Sequence, residues 1–297
     1  MKKFEGTFVV AVTPFTSNDE LDLAALKENI DYYIQNGVHG VVACGSTGEF
    51  AALSLEEHKK VVKTVVDRVN GRVPVIAGTA ACSTKLVIEL TKYAKDAGAD
   101  GAMIVPPFYS KPKENELYEH YKRVAEAVDL PIMLYNNPWT SKIDMQPPFI
   151  AKLGELDNIR YIKESSSDIT RIWRILNLTK GKMTVFCGAD NLALESFLMG
   201  AKGWICVAAN IFPGQTSRLY ELAVKEKNME KAQALYSDLL PLCNYLEETG
   251  KFAQLAKAGL EMMGGKAGPP RMPLLPPTEE EKRELKQIIK KIGTVKL

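Results

Sequence analysis

The sequence contains few of the residues that usually build metal sites. It has three histidines and five cysteines in 297 residues. The histidines are widely spaced and no two cysteines form a CxxC pair, which excludes zinc catalysis and predicts that no metal is bound. Cys44, Cys187 and Cys206 lie inside apolar runs, as small hydrophobic residues do. Together these features predict a reduced, cytoplasmic setting.

Long apolar stretches and an excess of one charge are also missing. No stretch approaches the roughly 20 apolar residues of a membrane span. The apolar run at 8–12 breaks at Thr13-Pro14, so no signal peptide is expected. The formal net charge is +2, and basic residues alternate with acidic ones instead of forming a phosphate-binding stripe. We therefore expect neither nucleic acid nor membrane as a partner.

The chain alternates short apolar runs with segments of helical period. The runs are continuous and rich in Val and Ile, which is typical of parallel strands buried on both faces. They cover residues 7–12, 40–44, 74–78, 100–105, 131–135, 159–163, 183–187 and 203–208. Helical periodicity covers 23–36, 56–69, 86–97, 114–128 and 191–199, with a capping box from Ser54 to Glu57 and a stop at Gly98. Because no GxGxxG motif follows a run, the pattern predicts an α/β fold of the (β/α)8 TIM barrel type.

The pattern changes after residue 213. Only helices are predicted there, at 214–227, 229–250, 252–263 and 278–292. We expect residues 1–213 to form the barrel core, and 214–297 to form its last helix and a C-terminal helical extension in the same structural unit. The Pro- and Gly-rich stretch 264–277 has the composition of a flexible linker, but its apolar Met272, Leu274 and Leu275 favour an ordered strap against the protein.

The active site of such a barrel lies at the C-terminal ends of its strands. Lys163 ends the sixth run, where its amine would face the barrel mouth with little water around it. An uncharged amine is a nucleophile for a ketone, although Lys163 could instead pair with Glu164. Tyr135 ends the neighbouring fifth run and could shuttle protons to that amine, or it could be a packed aromatic residue.

Two further strand ends carry polar residues. The loop from Gly45 to Glu49 combines glycines with the hydroxyls of Ser46 and Thr47, which suits an anion, although a tight turn explains the glycines equally well. Asp190 follows the seventh run and could cap the helix that starts at residue 191.

The ordered set of motifs resembles the dihydrodipicolinate synthase / N-acetylneuraminate lyase family along the whole chain. The motifs are Gly45-Ser-Thr-Gly-Glu49, Tyr135-Asn-x-Pro138 and Ile162-Lys163-Glu164, accompanied by Val12-Thr-Pro-Phe15, Pro106-Pro-Phe-Tyr109, Gly188-x-Asp190 and Ala208-Ala-Asn210. The resemblance implies a homotetrameric barrel in which Lys163 forms a Schiff base with a 2-oxo acid, commonly pyruvate. It implies no metal and no cofactor.

The resemblance also implies roles for individual residues. Tyr135 would relay protons, Ser46 and Thr47 would hold the 2-oxo acid carboxylate, and Tyr109 would enter the site of a neighbouring subunit. The positions expected around the substrate are Gly45, Thr47, Thr140, Gly188, Asp190 and Ile205.

The sequence departs from both main branches of this family. Thr140 stands where dihydrodipicolinate synthases carry an arginine for the carboxylate of aspartate semialdehyde, a contact worth roughly 1.5–3 kcal/mol. Their lysine-feedback site is also altered, with Phe50, Leu55, Cys82 and Leu86 at its positions. N-acetylneuraminate lyases have Asp-Glu where this chain has Asp190-Asn191.

Three functions follow from these departures. The first is a Schiff-base lyase for a hydroxylated 2-oxo acid or cyclic imine, such as a 2-keto-3-deoxy sugar acid or pyrroline-4-hydroxy-2-carboxylate. The second is a dihydrodipicolinate synthase that uses another carboxylate anchor, for which Lys142 is a candidate. The third is a non-catalytic barrel that binds or regulates, which the presence of Lys163, Tyr135 and Tyr109 disfavours.

Overall fold

The computed structural model of the chain describes residues 3–293 and contains a closed barrel of parallel strands, each followed by helix. The (β/α)8 prediction is confirmed. The strands are β1 (Gly6–Val10), β2 (Gly40–Ala43), β3 (Val75–Gly78), β4 (Gly101–Ile104), β5 (Ile132–Asn136), β6 (Ile159–Glu164), β7 (Thr184–Cys187) and β8 (Gly203–Cys206). They pair in chain order, and β8 closes on β1 with Gly203 opposite Gly6. Because all strands run the same way, their C-terminal ends meet at one rim.

The helices cover the outside of the barrel and extend beyond it. They are α1 (Leu23–Gln35), α2 (Leu55–Val69), α3 (Thr84–Ala97), α4 (Glu114–Ala127), α5 (Pro138–Ser141), α6 (Pro147–Leu153), α7 (Thr170–Leu178), α8 (Ala193–Leu198), α9 (Pro213–Tyr220), α10 (Met229–Thr249), α11 (Phe252–Met262) and α12 (Glu279–Ile292). Within residues 3–293, no helix is both long and apolar enough to cross a lipid bilayer.

Local signals in the sequence correctly marked several helix ends. Ser54 and Glu57 form the predicted capping box at the start of α2, and Gly98 ends α3 with a left-handed φ of +95°. The predicted helix 214–227 is instead α9 followed by a π-helical stretch, Glu221–Lys225, in which the Glu226 N–H bonds to the Glu221 carbonyl. Helices α5, α6 and α7 were not predicted. The four residues of α5 and the seven of α6 are too few to show a helical period.

Two layers of apolar side chains form the core. The barrel interior is filled by side chains such as Phe8, Met133, Phe186 and Ile205, which are fully buried. The second, larger layer packs the strands against the surrounding helices. The interior is therefore packed, and the open space lies at the rim where the strands end.

Residues 264–277 form an ordered strap, as predicted. The Phe15 N–H bonds to the Ala267 carbonyl at 3.1 Å, so the strap lies against the loop that follows β1. Arg271 holds the strap to the loop and helix after β2, since its guanidinium donates to both carboxylate oxygens of Glu57 and to the Ala52 carbonyl, each at 2.9 Å. This strap supplies one wall of the candidate site.

Candidate active site

One irregularity in the sheet brings Lys163 beside Tyr135. The pairing of β5 with β6 shifts by one residue between Ile132 and Met133, so that Tyr135 lies opposite Lys163. Without the shift Tyr135 would lie opposite Ile162. A one-residue change of register reverses the face on which a side chain points, so the bulge lets both side chains share the mouth of the barrel.

Lys163 and Tyr135 are buried and in contact. Each side chain is 5% exposed, and the Lys163 Nζ lies 4.1 Å from the centre of the Tyr135 ring. The Asn137 side-chain amide donates to the Tyr135 hydroxyl at 2.9 Å, which leaves the phenolic proton free to be passed on. Burial raises the pKa of Tyr135, but the Lys163 charge and hydrogen bonds from neighbours outweigh it, so that the pKa falls below its usual value. A phenol with this environment is suited to proton transfer.

The alternative interpretation required Lys163 to pair with Glu164, and the two side chains do not pair. Glu164 accepts hydrogen bonds from the Asn136 side chain at 3.1 Å and from the Ser166 N–H at 2.7 Å. No salt bridge of Lys163 is found among the described residues. Consecutive strand residues point to opposite faces, which separates the two side chains. The Lys163 amine is therefore not neutralised by its neighbour.

The loop after β2 places Ser46 beside this pair. Ser46 is exposed and lines a cavity together with Tyr135, whereas Thr47 is buried, with 2% exposure. A side chain at Gly45 would come within 2.5 Å of the Val10 side chain, so close packing against β1 requires glycine there. Thr13 fixes the loop by donating to the Gly48 carbonyl at 2.7 Å.

A buried ion pair joins the same loop to Lys257 of α11, whose ammonium also donates to the Pro269 carbonyl of the strap at 3.0 Å. Lys257 is 1% exposed and Glu49 is 5% exposed. The Lys257 Nζ atom lies 2.6 Å from Glu49 Oε1, but the contact does not have the geometry of a hydrogen bond. The Arg271 N–H donates to the other Glu49 oxygen at 2.7 Å. Glu49 has a left-handed φ of +56°, so this contact holds an uncommon backbone conformation at the end of the Ser46 loop.

The cavity above Ser46 and Tyr135 has a volume of about 450 Å³ and mainly apolar walls. The walls come from Phe50, Val105, Phe108, Met272 and Leu274, and Thr140 lies at the edge. Arg271 is the cationic side chain that lines it, and its guanidinium is already bonded to Asp19, Glu57 and the Ala52 carbonyl. A second carboxylate in this cavity would therefore find no uncommitted guanidinium among its lining residues.

Three residues predicted to surround the substrate lie near the ends of β7 and β8, namely Gly188, Asp190 and Ile205. A side chain at Gly188 would come within 2.8 Å of Lys163 Cγ, so Gly188 makes room for the lysine. Ile205 is fully buried among the barrel-interior side chains. Tyr109 lies in the loop after β4, is 86% exposed and is not one of the residues that line the cavity.

Asp190 does not have the capping role that the sequence suggested. It does not cap the following helix, because its carboxylate instead accepts from the Trp204 ring N–H at 2.9 Å and the Ala208 N–H at 2.7 Å. It is also fully buried, and its predicted contact with a substrate stays a prediction. These bonds tie the loop after β7 to the turn after β8.

Sequence reasoning missed several residues that shape the site. Asn137, Lys257 and Arg271 contact predicted residues, but their partners are recognisable only after folding. Glu247, in the last turn of α10, accepts a hydrogen bond from the Asp190 N–H at 2.7 Å. No group of three or more histidine, cysteine, aspartate or glutamate residues within residues 3–293 is arranged to hold a metal ion.

The fold and site define a (β/α)8-barrel protein with a buried lysine–tyrosine pair at its C-terminal rim. The model of the dihydrodipicolinate synthetase family matches residues 3–292. The 4-hydroxy-tetrahydrodipicolinate synthase of Methanothrix thermoacetophila is 41% identical over 292 residues, which cover 98% of this chain and 97% of the relative. The same enzyme of Methanocaldococcus jannaschii is 40% identical over 294 residues, 98% of this chain and 100% of the relative.

A solved structure agrees with these sequence matches. The chloride-inhibited dihydrodipicolinate synthase of Acinetobacter baumannii in complex with pyruvate has a TM-score of 0.93 and 38% identity, covering 99% of this chain and 100% of that one. The chain belongs to the dihydrodipicolinate synthetase family and is a lyase of that family. The resemblance drawn from the motifs is confirmed.

Proposed function

We propose that Lys163 forms a Schiff base with pyruvate, or with the 2-oxo acid end of a larger substrate, and that Tyr135 relays the protons. The observation that carries this proposal is the β5–β6 bulge, which sets the Lys163 amine 4.1 Å from the centre of the Tyr135 ring at the barrel mouth. Ser46 and Thr47, at the end of β2, would receive the carboxylate.

The proposed chemistry needs only these side chains. The Lys163 amine adds to the ketone carbon, water leaves, and the resulting iminium withdraws electrons from the adjacent carbon. Loss of a proton from that carbon gives an enamine, which is the nucleophile for a carbon–carbon bond or the electron source for an elimination. No metal or organic cofactor takes part in this scheme.

The relatives' names support condensation of pyruvate with aspartate semialdehyde as the overall reaction. The relatives described above are 4-hydroxy-tetrahydrodipicolinate synthases of about 40% identity over nearly the whole chain. On this proposal the aldehyde enters through the cavity bounded by Phe50, Phe108 and the strap. Its carboxylate would need an anchor other than residue 140.

Thr140 favours a second candidate function. With threonine in place of arginine and the Arg271 guanidinium committed, the cavity suits a substrate without a second carboxylate at that position. A hydroxylated 2-oxo acid or a cyclic imine, such as a 2-keto-3-deoxy sugar acid or pyrroline-4-hydroxy-2-carboxylate, would then lose water, ammonia or an aldehyde from the enamine.

Parallel turnover assays separate the two candidates. The purified chain is offered pyruvate with aspartate semialdehyde, and separately the two hydroxylated substrates. Thr140→Arg is the matched variant, because a new charge-assisted contact would lower the KM for aspartate semialdehyde about 10-fold or more. Turnover of aspartate semialdehyde, with growth of a diaminopimelate-requiring strain, would establish the synthase. Turnover of a hydroxylated substrate alone would establish the second candidate, and turnover of none would favour the non-catalytic barrel.

We also propose that the chain works in the cytoplasm as a homotetramer. The exposed Tyr109 ring, on a loop between Pro106 and Pro112, supports the idea that it reaches the site of a neighbouring subunit. A small-molecule 2-oxo acid is the expected partner of the site.

A further inference from the structure

Helix α10 brings an additional carboxylate toward the reactive lysine. The Asp190 N–H donates to Glu247 Oε1 at 2.7 Å, and the Tyr236 hydroxyl donates to the Asp190 carbonyl at 3.0 Å. These two contacts fix α10 to the loop after β7. That loop passes directly beside the reactive lysine, since a side chain at Gly188 would lie 2.8 Å from Lys163 Cγ. The Lys163 charge acts to lower the pKa of Glu247, so the two groups interact across this loop.

Glu247 is not used for a structural ion pair. Among residues 3–293 its carboxylate forms no salt bridge, and its hydrogen bond to the Asp190 N–H engages Oε1 alone. Asp190 is different, because its oxygens are bonded to Trp204 and Ala208 on the far side of the loop. Among the described residues, Oε2 of Glu247 therefore accepts no hydrogen bond and remains available to a ligand.

The surroundings of Glu247 keep a substantial share of its carboxyl group protonated at neutral pH. Burial raises its pKa to about 7, the nearby Asp190 carboxylate adds to the rise, and the Asp190 N–H and Lys163 oppose it. Cys187 on β7 and Cys243 on α10 also face it, and burial keeps both of these as neutral thiols. A carboxylic acid that titrates near the working pH is suited to donating a proton and recovering it in each cycle.

We propose that Glu247 is a further catalytic residue, the acid that protonates the oxygen on the carbon two positions from the imine carbon. The inference rests on the proposed imine at Lys163. In a condensation, the enamine carbon bonds to the aldehyde carbon, the carbonyl electron pair moves to oxygen, and that oxygen takes the Glu247 proton. In an elimination, the enamine electrons form the new double bond, the carbon–oxygen bond breaks, and the departing hydroxide takes the same proton and leaves as water.

Glu247→Gln tests this role, because glutamine keeps an oxygen for the Asp190 N–H but cannot donate an acidic proton. The exposed neighbour in the same helix turn gives the matched control, Glu248→Gln. We expect Glu247→Gln to trap pyruvate with borohydride within about twofold of the parent rate, and to lower kcat about 100-fold or more. The parent kcat falls as pH rises through about 7, because the acid form is lost, and this fall is absent in Glu247→Gln.

Three results would overturn the inference. Turnover and a pH profile equal to those of Glu248→Gln would show that Glu247 donates no proton. An equal loss of imine trapping and turnover would place Glu247 in support of Lys163 instead. A parent chain that traps no pyruvate would remove the proposed function and this inference together, whereas the first two results leave the proposed function intact.

Discussion

At the scale of single residues, the position of Tyr135 depends on one extra residue in β6. The shift in pairing at Ile132 and Met133 moves Tyr135 opposite Lys163, and Asn137 then fixes the phenol oxygen at 2.9 Å. The lysine thereby gains a proton-transfer partner whose pKa lies below that of an ordinary phenol, even though burial acts in the opposite direction.

Removing that phenol is expected to slow imine formation without unfolding the barrel. Tyr135→Phe keeps the ring against Lys163 and deletes the relay, so the rate of pyruvate trapping by borohydride should fall about 100-fold. Tyr93→Phe is the matched control, because the Tyr93 hydroxyl bonds to the Lys59 carbonyl on the helical surface. Equal trapping rates in the two variants would show that Tyr135 is not the relay.

The sequence alone predicts some features of these residues and not others. Lys163 and Tyr135 could be predicted because each ends a run of buried strand residues, where the barrel places its chemistry. The bulge that pairs them leaves no pattern in the sequence, since β6 reads as an uninterrupted strand. The predicted capping role of Asp190 was wrong, because its hydrogen-bond partners, Trp204 and Ala208, are neighbours only after β7 and β8 have paired.

At the scale of structural elements, the strap and the loop after β2 form one unit. Glu49 accepts from the Arg271 N–H of the strap and pairs with Lys257 of α11, whose ammonium also donates to the Pro269 carbonyl of the strap. The Phe15 ring is within 4.2 Å of the Lys257 ammonium and 4.1 Å of the Arg271 guanidinium. Composition favoured an ordered strap over a linker, but it could not show that the strap holds Glu49, because the ion pair joins distant parts of the chain.

Breaking this ion pair is expected to cost more stability than any exposed pair. Lys257→Met leaves the Glu49 carboxylate buried without its cation, so the free energy of unfolding should fall by about 3–5 kcal/mol. Adding Glu49→Gln to Lys257→Met removes the unpaired charge and should restore most of the loss. The free energy of unfolding of both variants is measured by urea unfolding.

The strap itself provides the control for this prediction. Lys266→Met breaks an exposed pair with Glu28, which water screens, and should leave the free energy of unfolding nearly unchanged. If Lys257→Met were no more destabilising than Lys266→Met, the buried pair would not be what fixes the loop after β2.

At the scale of the whole molecule, the alternation of apolar runs and helical segments was enough to predict the barrel. Eight predicted strands that alternate with helices, without a dinucleotide-binding motif, are compatible with few other folds. The structure has the expected closed order of strands from β1 to β8. The assembly remains a prediction, since Tyr109 is exposed in the single chain and its proposed partner is a second copy.

Two impaired variants can test whether Tyr109 acts in a neighbouring subunit. Tyr109→Ala should trap pyruvate slowly, and Lys163→Met should not trap it at all. When the two are co-expressed, the Tyr109→Ala chain can receive Tyr109 from its partner, so its trapping rate should recover. Mass spectrometry distinguishes the two chains, and an unchanged rate in the mixture would contradict transfer of Tyr109 between subunits.

The proposed chemistry depends on a covalent bond between Lys163 and the substrate. Its most direct test is to reduce the chain with borohydride in the presence of pyruvate and to map the adduct by peptide mass spectrometry. We predict one reduced pyruvyl adduct, on the peptide containing Lys163, and none in Lys163→Met. An adduct on another lysine, or no adduct in the parent chain, would contradict the account.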